Sequence, residues 1–236
     1  MELFAPPIGR FRNLVILAFL VMSSMAFTLG AIAKEIVVVG DSLSCGSFGK
    51  HLVLNLVNKG HEVIVYCAVS SAATHWLSGS TPRGQKCEMI LSSTGSRRPC
   101  GGTGRIPKLA SLLQKHRSAR FVIALGTNSL MSPAADRSYR KIATMITSSG
   151  NACDWIGPPH LNPTQSRGFS PSRISALERN LGGFYRSLAS QLSGACHLID
   201  SREATASGTP GNQTIDGVHR NEIGGKYWAG LIVRAL

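Results

Sequence analysis

The chain has 236 residues, 43% of them hydrophobic, which suits one compact domain with a sizeable core and excludes overall disorder. Its formal net charge is +13, so polyanions are natural neighbours: anionic cell-wall polymers, acidic lipid or nucleic acid. Nucleic acid is set aside, because no nucleic-acid motif is present and only 6% of residues are aromatic. The competing reading is that the charge merely aids solubility.

Residues 1–33 read as an export leader. Arg10 and Arg12 form a positive start, "NLVILAFLVMSSMAFTLG" an apolar run, and "AIA" at 31–33 supplies small residues for cleavage. The competing reading is an uncleaved membrane anchor, since about 20 apolar residues can span a bilayer. Ser23 and Ser24 interrupt the run, which favours cleavage. The expectation is a secreted or periplasmic domain over 34–236, with a charge of +12 once Arg10, Arg12 and Glu2 are gone. Membrane contact would then come only through a retained leader. Six cysteines suit an oxidising compartment and allow 15 connectivities. Cys87 and Cys100 bracket a polar stretch and form the most natural staple; Cys153 and Cys196 sit near two predicted strands. Cys45 and Cys67 read equally well as buried thiols.

In chain order, "EIVVV" (35–39) is a strand apolar on both faces, the kind found inside parallel sheets. Phe48, Leu52, Val53 and Leu56 follow at helical spacing, and Gly60 caps the end. "HEVIVYCAV" (61–69) is a second strand. The long polar stretch 78–105 exceeds a plain connection and reads as functional or disulfide-pinned. A helix over 106–116, a strand over 119–126, a basic helix over 136–150 and a strand over 152–157 come next. The longest helical pattern, 170–193, starts at Ser170-Pro171 and is loosened at Gly182-Gly183. A strand over 196–201 and a helix over 221–236 close the chain. Strand–helix alternation predicts an α/β sandwich with a mostly parallel sheet, whose ligands bind beyond the strands' carboxyl ends.

Polar residues gather at those ends. The first strand stops at Gly40-Asp41-Ser42, the second leads into "VSSAATHWL", the third into "GTNSL", the fourth into "GPPH". Before the last helix stands "DGVHRNEIG", with Asp216 and His219 three residues apart. A serine nucleophile needs an imidazole to take its proton, a carboxylate to orient that imidazole, and donors for the oxyanion. Each residue also has a duller reading. Ser42 caps a helix, Asn128 closes a turn, His219 is a surface histidine, and Asp41 anchors its turn through backbone N–H groups. His75 and His160 stand on loops where substrate contact is conceivable.

The motifs "GDSLS" (40–44), "GTN" (126–128) and "DGVH" (216–219), in this order across the mature chain, resemble the SGNH hydrolase, or GDSL esterase/lipase, family. That resemblance implies a flavodoxin-like three-layer α/β/α sandwich with a five-stranded parallel sheet. It implies Ser42 as nucleophile, His219 as general base and Asp216 as its orienting carboxylate. The backbone N–H of Ser42 and the side-chain amide of Asn128 would bind the oxyanion. The family's further donor is a glycine N–H, and Ser71 occupies that place here, with Gly79 as a fallback. No metal and no cofactor are implied. The implied activity is hydrolysis of acyl esters, acetyl first, on a carbohydrate or cell-wall glycan. The alternatives are a lipolytic esterase or thioesterase, and a catalytically inactive glycan-binding member of the fold. Sequence says nothing of the oligomeric state.

Overall fold

The computed structural model describes residues 35–236 apart from 83, 93 and 94; the leader expected over 1–33 lies outside the described residues. Seven strands form a single mixed sheet: β1 (Glu35–Gly40), β2 (Glu62–Ala68), β3 (Cys87–Leu91), β4 (Arg97–Pro99), β5 (Arg120–Ala124), β6 (Ala152–Ile156) and β7 (His197–Ile199). Their order is β4-β3-β2-β1-β5-β6-β7. The five strands β2-β1-β5-β6-β7 run parallel, in the flavodoxin-type order. The expected five-stranded parallel sheet is present, and two antiparallel strands extend it to seven among the described residues. The polar stretch 78–105 holds the antiparallel hairpin β3–β4, which adds to the free edge of β2. Its strands are five and three residues long, too short to stand out from a Gly- and Ser-rich background.

Seven α-helices cover the sheet among the described residues: α1 (Ser42–Cys45), α2 (Ser47–Asn58), α3 (Ala73–Ser78), α4 (Leu109–Lys115), α5 (Arg137–Ser148), α6 (Pro171–Leu192) and α7 (Glu222–Ala235). Strand residues alternate between faces, so β1 needs apolar side chains throughout. Ile36 and Val38 join Phe48 and Leu52 of α2 and Trp228 and Ile232 of α7 on one side. Val37 and Val39 join Leu109 of α4, Tyr139 of α5 and Phe184 of α6 on the other. Phe48 and Trp228 stack with ring centroids 3.6 Å apart, closing α2 onto α7. Burying a side chain of this size contributes about 1.5–3 kcal/mol.

Two helices depart from their expected form. α4 begins at Leu109 because Pro107 keeps the residue before it extended, and Lys108 is itself extended at φ −61°, ψ 138°. α6 runs unbroken through Gly182-Gly183, where Pro133 packs against Gly183 too closely for a side chain. The cysteines form three disulfides, Cys45–Cys67, Cys87–Cys100 and Cys153–Cys196, so the possibility of free thiols at 45 and 67 is overturned. Cys45–Cys67 ties α1 to the end of β2. No helix among the described residues is long and apolar enough to cross a membrane.

Candidate active site

β1 ends in glycine because α1 folds back over it. A Cβ on Gly40 would lie 1.9 Å from Ser44 Oγ, so no other residue fits. Asp41 then caps α1, its Oδ1 accepting from the Leu43 N–H at 3.0 Å. It is the turn anchor read from sequence. Burial pushes its carboxyl up to about 7, against the lowering effects of the Leu43 N–H and nearby His219. Ser42 opens α1, so its N–H has no acceptor within the helix.

The DGVH turn brings the other groups to Ser42. Asp216 Oδ1 accepts from the backbone N–H groups of Val218 (3.0 Å) and His219 (2.7 Å), which folds the turn around its own carboxylate. Its Oδ2 lies 2.6 Å from His219 Nδ1, and His219 Nε2 lies 2.9 Å from Ser42 Oγ. Partial burial raises the Asp216 pKa, but the hydrogen bonds from the His219 ring and from the two backbone N–H groups outweigh it. The carboxyl is held below its usual range. An ionised Asp216 accepts a hydrogen bond from Nδ1–H and keeps the proton on that nitrogen, leaving Nε2 to accept from the Ser42 hydroxyl. That arrangement can lift a proton from Ser42.

Asn128 sits in the 3₁₀ turn Thr127–Ser129 after β5. Tyr139 of α5 pins the turn, donating to Ser129 Oγ at 2.8 Å. The Asn128 amide donates to the Ser71 carbonyl at 2.9 Å and, more loosely, to Asp41 Oδ2 at 3.4 Å.

Ser71 does not sit as expected. It is fully buried, and its N–H already donates to the Ala68 carbonyl at 3.2 Å, closing the turn after β2. That turn bends at Ser70, which adopts φ +60°. With no exposed surface, the Ser71 amide is not offered to a ligand; its carbonyl instead orients Asn128. The fallback, Gly79, ends α3 and donates to the His75 carbonyl at 2.8 Å. His75 turns its ring back to accept from the Ala72 N–H at 2.9 Å, so it too serves α3.

Sequence reasoning missed a bracket behind the histidine turn. Arg220 is buried at 3% exposure, and Nη2 donates to the His160 carbonyl. Burial pushes its guanidinium down to about 10, despite the opposing fields of Glu178 and Asp216. Glu178 of α6 pairs with His160 Nδ1 and accepts from the Leu161 N–H at 2.7 Å. The bracket fixes the loop after β6 against the DGVH turn, where Asn162 N–H donates to the Gly217 carbonyl at 2.8 Å. His160 is thereby a strut. The "R" of "DGVHR" was the available signal, but arginine is normally exposed, so nothing marked it as buried.

The site lies on open surface at the strands' carboxyl ends. Asn128 is exposed, while Ser42, Asp216 and His219 are half-buried. The cavity of about 530 Å³ beside His160, Asn162 and Gln213 adjoins the back of the histidine turn and is not lined by Ser42.

No family model matches the chain, and no curated protein matches it in sequence. Solved structures do match in shape. An aryl esterase of M. smegmatis superposes with a TM-score of 0.58 at 16% identity, over 86% of this chain and 100% of the other. A candidate SGNH hydrolase from Slackia heliotrinireducens gives 0.57 at 17% identity, over 86% and 98%. A carbohydrate acetylesterase from Sinorhizobium meliloti gives 0.54 at 14% identity, over 86% and 97%. Likeness at these identities is likeness of fold, and the fold of this chain is SGNH-hydrolase-like.

Proposed function

We propose that this protein is an exported serine ester hydrolase that removes acyl groups, acetyl first, from a carbohydrate or cell-wall glycan. The observation that carries the reading is the unbroken series of contacts Asp216–His219–Ser42, closed by residues 177 positions apart in sequence. In this reading His219 Nε2 takes the Ser42 proton as Oγ attacks the ester carbonyl. The Ser42 N–H and the Asn128 amide bind the oxyanion, Asn128 releasing its loose contact with Asp41 to do so. The imidazolium, held by Asp216, then protonates the leaving alkoxide. Water, deprotonated by the same imidazole, attacks the acyl-enzyme, and the acid departs as Ser42 regains its proton. The hole has two donors, because Ser71 is committed elsewhere.

Three features support the glycan side of this reading. The site is open, which suits a group on a bulky polymer; the surface is strongly basic, which suits an anionic wall; and three disulfides suit export. A second reading, action on lipid acyl esters, rests on two exposed apolar side chains: Met131, three residues beyond Asn128, at 70%, and Ile215, beside Asp216, at 58%. A panel of acetylated oligosaccharides, p-nitrophenyl acetate and p-nitrophenyl esters of long acyl chains separates them. Acetyl preference, abolished in Ser42→Ala, supports the glycan reading; strong long-chain preference overturns it in favour of the second.

A further inference from the structure

The segment 78–105 plays no part in the chemistry above, yet it builds a cavity. The hairpin β3–β4 extends the sheet past β2, and Met89 of β3 packs in one cluster with Leu112 of α4. Side chains on that face come from alternate positions, so Met89 and its cross-strand partner Arg98 point the same way. The Cys87–Cys100 disulfide holds the turn after β4 in place. Between this turn, Met89 and α4 lies a space of about 500 Å³, within the range of small-molecule sites.

The walls are apolar, from Met89, Pro99, Pro107 and Leu112, and the polar groups are few: Arg98, Lys115, Ser111 and Tyr66. Tyr66 is 3% exposed, and its hydroxyl is already committed. Glu35 Oε1 lies 2.8 Å from Nδ1 of buried His116, whose Nε2 lies 2.9 Å from the Tyr66 hydroxyl. With Nδ1–H donating to Glu35, Nε2 accepts a hydrogen bond from the Tyr66 hydroxyl, whose oxygen in turn accepts from Lys115 Nζ at 3.2 Å. This relay, buried at Tyr66 and His116, holds the ammonium at the cavity. Lys115 retains two further N–H donors. Arg98, exposed at the opposite wall, has no carboxylate partner among the described residues, and neither does Lys115. The nearby carboxylate of Glu88 pairs with Arg97, which also donates to the Cys45 carbonyl on the other face of the hairpin.

We propose that this cavity binds a small carboxylate with an apolar body, its charge between Arg98 and Lys115 and its body against Met89 and Leu112. A carboxylate presents one oxygen to each cation and leaves its apolar body free to lie on Met89 and Leu112. The site is independent of Ser42 and does not rest on the esterase reading.

The test is methyl NMR of the protein labelled at its methionines, titrated with 2-naphthoate, 2-naphthyl phosphate and 2-naphthalenemethanol. Naphthoate is expected to shift the Met89 methyl, equally in wild type and Ser42→Ala. The alcohol should bind about tenfold more weakly or worse, and so should naphthoate to Arg98→Ala/Lys115→Ala, whose altered side chains are exposed. An unmoved Met89 methyl at millimolar naphthoate overturns the proposal, as do equal binding by the double variant and tighter binding of the phosphate.

Discussion

Replacing Asn128 by alanine separates catalysis from folding at this site. In the free protein the amide makes one good hydrogen bond, to the Ser71 carbonyl at 2.9 Å, and one long contact to Asp41 at 3.4 Å. Losing the first strands a buried acceptor, at a cost of about 1–3 kcal/mol in stability. In the proposed reaction the second N–H moves to the oxyanion, where loss of a donor costs about 3–4 kcal/mol, a hundred- to thousandfold in kcat. With Ser71 buried and committed, Ser42 N–H is the one donor left, which places the loss at the upper end of that range. Steady-state kinetics on p-nitrophenyl acetate beside a thermal melt provide both readouts. A folded Asn128→Ala with near wild-type kcat would refute the two-donor hole.

Other perturbations have defined outcomes. Asp216→Asn keeps an acceptor for the Val218 and His219 N–H groups but presents an N–H to His219 Nδ1, reversing the tautomer. A drop of about 10⁴ in kcat is expected, and a drop below tenfold contradicts the orienting role. Asp41 supplies a pH test. Its folded pKa is raised to about 7 by burial, so its protonated form stabilises the fold fully below the unfolded value of 3.8. That contribution is lost as pH climbs toward 7. The melting temperature of wild type should therefore fall relative to Asp41→Asn between about pH 4 and pH 7, and parallel curves would contradict the shift. The double variant Cys153→Ala/Cys196→Ala opens a loop of 43 residues, and chain entropy puts the loss at about 4 kcal/mol, read by urea unfolding.

Much of the site was legible because its residues end strands. Gly40, Asn128 and the DGVH turn each follow or precede an element whose apolar pattern is strong, so topology alone gathers them on one edge. The mostly parallel sheet followed from strand–helix alternation, and its flavodoxin-like arrangement from the family resemblance. The β3–β4 hairpin was not legible, since its pairing depends on an edge of β2 left free and on a disulfide, both long-range facts. Ser71 shows a different limit. Sequence assigned it a donor's place in the turn after the second strand, but its N–H closes that turn on the Ala68 carbonyl beside Ser70 at φ +60°, which composition does not signal. Arg220 was hidden by its type, as a charge buried through contacts with loops distant in sequence.

The most direct measurement is covalent labelling by a fluorophosphonate, with the modified residue located by mass spectrometry. The account predicts one adduct, on Ser42, formed rapidly by wild type and at least a hundredfold more slowly by folded His219→Ala, whose hydroxyl has lost its base. A folded wild-type protein that stays unlabelled, or carries its adduct on another serine, would contradict it.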